Sequence, residues 1–109
     1  MKRVILESPY AGNIKENILY ARRCVRDSLS RGEAPIASHL LYTQDGILND
    51  DDPKERKWGI DAGLAWMEYA EKQVVYVDYG ISKGMDYGIS HVENTDLPIE
   101  YREIGKNEE

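Results

Sequence analysis

Phenylalanine is absent from this 109-residue chain, cysteine occurs once and histidine twice. With Cys24 alone there is no intramolecular disulfide and no multi-cysteine metal site. His39 and His91 are far apart and show no metal-ligand spacing. Long hydrophobic runs are missing too: nothing approaches the roughly 18 apolar residues of a membrane-spanning helix. The opening MKRVILESPY turns polar too soon for a signal peptide. Positive charge is scarce, with 14 Lys and Arg against 20 Asp and Glu for a net charge of -6. That balance argues against a nucleic acid polymer as partner, since such partners are met by a basic face. The expectation is a cytoplasmic protein with no membrane partner, no metal and no cofactor. A small anionic ligand stays open, because a helix N-terminus and one or two basic side chains can hold it.

What is present describes a single α/β domain over residues 1–104, followed by a polar tail, 105–109, that is expected to fray. A hydrophobic content of 41% beside 31% charged residues is that of a globular chain. Residues 2–6 read as a short strand, and 7–13 as a loop of turn residues. Asn13 can cap a helix over 14–31, where Ile14, Ile18, Ala21, Val25 and Leu29 recur at helical spacing and Gly32 supplies a stop. Cys24 sits beside that stripe and reads as a small core residue. Residues 34–38 form a second short strand, and 39–52 a long loop ending in Asp50-Asp51-Asp52. Asp52-Pro53-Lys54-Glu55 is a helix start, so capping accounts for part of that acidic run, against ligand or cation binding as the other use.

The helix expected over 53–72 carries two apolar stripes. One holds Trp58, Ala62, Ala65, Trp66 and Tyr69, the other Ile60, Leu64 and Met67. A helix covering a sheet needs only one. The spare stripe suits a second copy, hence a homodimer or higher homo-oligomer, or else the long loop folded back over it. Residues 73–78 make a third strand, apolar throughout and so buried on both faces. A helix over 83–93 and a last strand over 97–103 complete the order β-α-β-loop-α-β-α-β. Right-handed crossovers then give a four-stranded parallel sheet with helices on both faces, a small Rossmann-like three-layer sandwich.

The stretch Tyr79-Gly80-Ile81-Ser82-Lys83-Gly84-Met85-Asp86-Tyr87-Gly88 carries the functional signal. A buried strand that runs into small residues and then a helix presents free N–H groups where parallel sheets keep their ligands. Ser82 and Gly84 suit an anion there, although Ser82 serves equally as an ordinary helix cap. Tyr10, Tyr42 and Tyr79 fall in loops at the expected crevice mouth, where a ring can stack on a base. Tyr76 reads as core. His39, at the end of the second strand, can bond a base or a phosphate or be purely structural.

Four segments taken together, Val4-Ile5-Leu6-Glu7-Ser8-Pro9-Tyr10, His39, Gly63-Leu64-Ala65-Trp66 and Ser82-Lys83-Gly84-Met85, resemble the nucleoside 2-deoxyribosyltransferase-like superfamily. The order of all four carries the resemblance. More narrowly the chain looks like short, uncharacterised phage proteins of that group. The resemblance implies a pocket for a nucleoside or nucleoside 5′-monophosphate at the C-terminal ends of the strands. Ser8, Pro9, Tyr10 and Gly12 would lie against base and sugar, with His39 and Tyr79 nearby. Ser82, Gly84, Met85 and Gly88 would lie along the phosphate-holding helix.

The family's enzymes use a helix-borne glutamate nucleophile and an assisting aspartate, as a glycosyl-enzyme mechanism requires. Matching the motifs puts Gly88 and Gly63 at those two positions. Two helical glycines facing one crevice leave room for a bulkier or more heavily phosphorylated ligand, or serve close helix packing. Asp86 lies about 200° round the helix from Gly88 and should point elsewhere. The leading expectation is therefore a non-catalytic binder of a nucleotide-derived small molecule, such as a phage protein that sequesters a host immune signalling nucleotide. The alternative is a deoxyribosyltransferase or nucleoside 5′-monophosphate N-glycosidase using Asp86 or Glu93. A structural protein without a ligand is the third reading.

Overall fold

In the computed structural model, which describes residues 1–105, four strands form one all-parallel sheet in the order β2-β1-β3-β4. The strands are β1 (Lys2–Glu7), β2 (Glu33–Ile36), β3 (Lys72–Tyr76) and β4 (Ile99–Arg102). Between them lie α1 (Ile14–Ser30), the single-turn α2 (Ser38–Leu41), α3 (Pro53–Ala65) with a 3-10 turn at Trp66–Tyr69, and α4 (Lys83–Glu93). The small Rossmann-like sandwich expected from the element order is the observed architecture. Of the tail expected over 105–109, residues 106–109 lie outside the described residues.

The centre of the sheet follows from its sequence. β1 and β3 are the inner strands, in register from Val4↔Lys72 to Glu7↔Val75. Their Val4, Ile5, Leu6, Val74 and Val75 are all buried, as a strand covered on both faces requires. Alternation then sorts the side chains. Val4, Leu6, Val74 and Tyr76 face α1 and pack on Tyr20 and Cys24. Ile5 and Val75 face the opposite layer, meeting Met67 and Val92 in one cluster and Met85 and Ile89 in the next. Glu7 follows Ile5 in that alternation and so emerges on the α3/α4 side, at the end of β1.

The order 2-1-3-4 reverses direction at β1. The first crossover runs to one side and the later ones to the other, which leaves a crevice above β1 and β3 at their C-terminal ends. Two polar latches hold the α1 layer around it. Asp78 accepts hydrogen bonds from Tyr20 Oη at 2.6 Å and from the Ile104 and Gly105 N–H groups at 3.0 and 2.7 Å. Gly105, expected in the frayed tail, is thus tied to the sheet. Beneath α1, Arg102 reaches Glu33 at 2.7 Å, Ser28 donates to Glu33 at 2.8 Å and Tyr76 donates to Asp27 at 2.7 Å. The Arg102 guanidinium beside Glu33 is the main cause that holds its carboxyl down at about 2. On the other face, Gln73 is fully buried, and both polar atoms of its amide lack a partner among the described residues.

Several boundaries differ from expectation. The helix over 53–72 ends at Ala65, because the Glu71 N–H already pairs with the Arg3 carbonyl at 2.8 Å. The tighter 3-10 turn at Trp66–Tyr69 brings the chain down to that register within a few residues. The second strand stops at Ile36, and His39 stands on α2 rather than at a strand end. Of the two α3 stripes, Leu64 and Met67 pack toward the sheet, whereas Trp58, Trp66 and Tyr69 are 66%, 46% and 62% exposed. The 42–52 segment leaves those rings largely exposed, reaching Trp66 through the Tyr42 hydroxyl. Its Leu48 lies instead against Gly59, the Leu48 N–H closing back onto the Tyr42 carbonyl at 3.1 Å. Among the described residues no helix is long and apolar enough to cross a membrane.

Candidate functional site

A cavity of about 420 Å³ opens above β1, bounded by the β1–α1 loop, α2, the first turns and inner face of α3, and the start of α4. Ile5, Ile60, Leu64, Met67 and Met85 give it apolar walls, with a few polar groups converging on them, the usual make-up of a small-molecule site.

Each wall is set by local chemistry. The β1–α1 loop is pinned by Asn17, whose side-chain amide donates to the Tyr10 and Ala11 carbonyls at 3.0 and 3.1 Å. Gly12 closes that loop at φ 98°, a conformation open to glycine. Tyr10 and Gly12 thereby border the cavity. Ser8 is buried, its Oγ 2.6 Å from His39 Nε2. Burial brings the His39 imidazole down to about 4, so it is neutral near pH 7. Tyr42 borders the cavity, and its hydroxyl accepts from Trp66 Nε1 at 3.1 Å. Asp52 caps α3 by accepting from the Lys54 N–H at 2.9 Å. Glu55, in the first turn of α3, accepts from the Asn49 N–H at 3.0 Å.

At the far wall Ser82 caps α4, its Oγ accepting from the Met85 N–H at 3.3 Å. Ser82 is thus the helix cap, and it also borders the cavity with Lys83, Gly84 and Met85. The first N–H groups of a helix have no partner within it, and the helix dipole adds positive potential there. Nothing lies within 4 Å of where a Cβ at Gly84 would stand, so a ligand can approach the backbone closely.

Eight of the ten residues expected at the ligand border the cavity: Ser8, Tyr10, Gly12, His39, Ser82, Gly84, Met85 and Gly88. Two do not. Pro9 is buried and does not border the cavity. Tyr79 turns to the α1 side, its ring 4.4 Å from that of Tyr20, because the Val77–Gly80 turn directs it over the first core cluster. Asp86 and Glu93, the acids considered for an enzyme, are exposed and outside the cavity. Their positions on α4 point away from the sheet, whereas Met85, Gly88, Ile89 and Val92 point toward it.

The residue that sequence reasoning missed is Glu7. Its carboxyl lies against Gly88, where a Cβ would stand 2.5 Å from Oε2 and 3.1 Å from Cδ. The room left by Gly88 is therefore already filled, by an acid carried on β1. Burial pushes this carboxyl up to about 8, so it is mostly protonated near pH 7. The signal was its position: an acid that continues the Ile5 side of a buried strand must enter the core layer or a site. Gly63 does not open space either. A Cβ there would overlap Ser38 Oγ and lie 2.8 Å from Ser38 Cβ, so that glycine serves close packing of α3 on α2.

Among the described residues no group of three or more His, Cys, Asp or Glu side chains is placed to hold a metal ion. Residues 2–102 match the model of a domain of unknown function, DUF7768, and the chain belongs to that family. Neither a curated protein nor a solved structure matches it.

Proposed function

We propose that this member of the DUF7768 family captures a nucleotide-derived small molecule in the crevice above β1 without turning it over. The observation that carries the reading is the joining in one cavity of about 420 Å³ of a helix start, two tyrosines and an uncharged acid. The α4 start, with Ser82, Lys83 and Gly84, suits a phosphate. Tyr10 and Tyr42 offer ring faces and hydroxyls to a base or sugar. The volume is that of a nucleotide-sized ligand site.

The absence of turnover is supported by the state of the acids. A covalent glycosyl transfer needs an ionised carboxylate as nucleophile. Glu7 is mostly protonated near neutral pH, Asp86 and Glu93 lie outside the cavity, and of the two acids that border its α3 side, Asp50 and Glu55, the latter is engaged by the Asn49 N–H. A second reading has an observation of its own, since a protonated carboxyl in an apolar site is also what a general acid looks like. Under it the protein would be a deoxyribosyltransferase or a nucleoside 5′-monophosphate N-glycosidase.

The resemblance to phage proteins of the deoxyribosyltransferase-like group supports a biological role as a cytoplasmic sequestering protein for a host signalling nucleotide. The exposed Trp58, Trp66 and Tyr69 of the α3 layer support a homodimer formed through that surface. Native mass spectrometry with a panel of mono-, di- and cyclic nucleotides, followed by chromatography of the released molecules, tests both readings. Recovery of an intact nucleotide supports capture. Free base or transferred sugar in the supernatant would show turnover and refute it.

A further inference from the structure

Glu7 stands at the cavity wall, part-buried. Its carboxyl neither accepts a hydrogen bond nor pairs with a cation among the described residues, and desolvation is the one cause of its altered acidity. Glu33 and Asp78 are by contrast each engaged by several donors. A carboxyl that borders a cavity without a protein partner is available to a group held in that cavity. The cavity is the open side of its surroundings.

We propose that Glu7 reads the ligand, hydrogen-bonding as an uncharged acid to an adjacent donor–acceptor pair, the amide or amidine edge of a heterocyclic base. The inference rests on the capture reading and names the chemistry of that same site. A protonated carboxyl carries a donor and an acceptor on one carbon. It can therefore face a base edge as the side-chain amides of Asn and Gln face adenine.

The geometry supports this over a charged contact. Gly88 lies six residues after Ser82, about 9 Å along the α4 axis. An anion at the helix cap thus places the remainder of the ligand toward Glu7, and an ionised Glu7 would repel that anion. A side chain at residue 88 would take the space the carboxyl occupies. The titratable groups sharing the cavity are His39 on α2, Glu55 and Arg56 on α3 and Lys83 on α4, with Asp50, Tyr10 and Tyr42 in the loops. His39 titrates at about 4, well below the range in which Glu7 changes charge.

Calorimetry of nucleoside 5′-monophosphates and of ribose 5-phosphate, from about pH 7 to about pH 9.5, tests the assignment. Ionisation of the phosphate itself, near pH 6, lies below that window. The wild-type chain should bind at least one monophosphate, with affinity falling about tenfold per pH unit above about 8. Glu7→Gln keeps a donor and an acceptor and should bind without that fall. Glu7→Ala should lose about tenfold or more for the monophosphate and nothing for ribose 5-phosphate, which has no base. A pH profile shared by wild type and Glu7→Gln, or an equal loss of ribose 5-phosphate binding in Glu7→Ala, overturns the role of Glu7 and leaves nucleotide capture standing. Failure of the wild type to bind any of the mono-, di- and cyclic nucleotides overturns the capture reading and this assignment with it.

Discussion

Replacing Glu7 by Gln should change how the stability of the unliganded protein depends on pH. In the unfolded chain this carboxyl titrates near 4.5 and in the folded one at about 8. The folded state therefore holds its proton more tightly. The contribution of the protonated carboxyl is fully present below about 4.5 and is lost as pH rises through about 8. The interval is about 3.5 pH units, and at about 1.4 kcal/mol per unit the ceiling is about 5 kcal/mol. Because the cavity admits water to one side of the carboxyl, its ionised form keeps part of its hydration, and the expected loss is about 2–3 kcal/mol. Urea unfolding followed by far-ultraviolet circular dichroism at pH 5, 7 and 9 measures it. Wild type should weaken relative to Glu7→Gln by that amount, a midpoint shift of about 1–2 M urea at the slopes usual for small domains. Parallel profiles for the two proteins would refute a buried, protonated Glu7.

Three further outcomes follow from the packing. Gly63→Ala should cost about 1–3 kcal/mol despite alanine's better helix propensity, since Ser38 Cβ lies 2.8 Å from the new methyl. Adding Ser38→Gly should restore most of that loss in a denaturation experiment, and no recovery would exclude the clash. Glu33→Gln should cost about 1–3 kcal/mol, because the buried Arg102 keeps Glu100 as an ionic partner but loses its charged contact with Glu33. Acid titration of the wild type should show the matching loss below about pH 4.5, since Glu33 titrates at about 2 in the fold. Gln73→Met should raise the melting temperature by relieving the unpartnered amide, by about 1–3 kcal/mol at most. An unchanged or lowered melting temperature would show that the amide is satisfied.

Much of the site could be read from residue order alone. The α4 start was legible because a buried strand followed by Gly80, Ser82 and Gly84 has few other uses, and Ser82 caps that helix. Tyr10 and Tyr42 were placed by the topology, since loops after strands of a parallel sheet gather at one end. Tyr79 was misplaced because a one-residue difference in a turn decides which side of the sheet a ring reaches.

By itself the sequence determined the class of fold, the number of strands, their parallel pairing and the crevice, because these follow from periodicity, turn residues and the handedness of crossovers. Only the tertiary structure decided what fills that crevice. Local signals do not reveal that Gly63 abuts Ser38, or that Gly88 makes room for an acid 81 positions earlier in the chain. Nor do they reveal that Asp78 and Arg102 close the α1 layer. Each depends on distances between side chains remote in sequence, and an acid's proton is held or released by its surroundings, which exist only once the layers have packed.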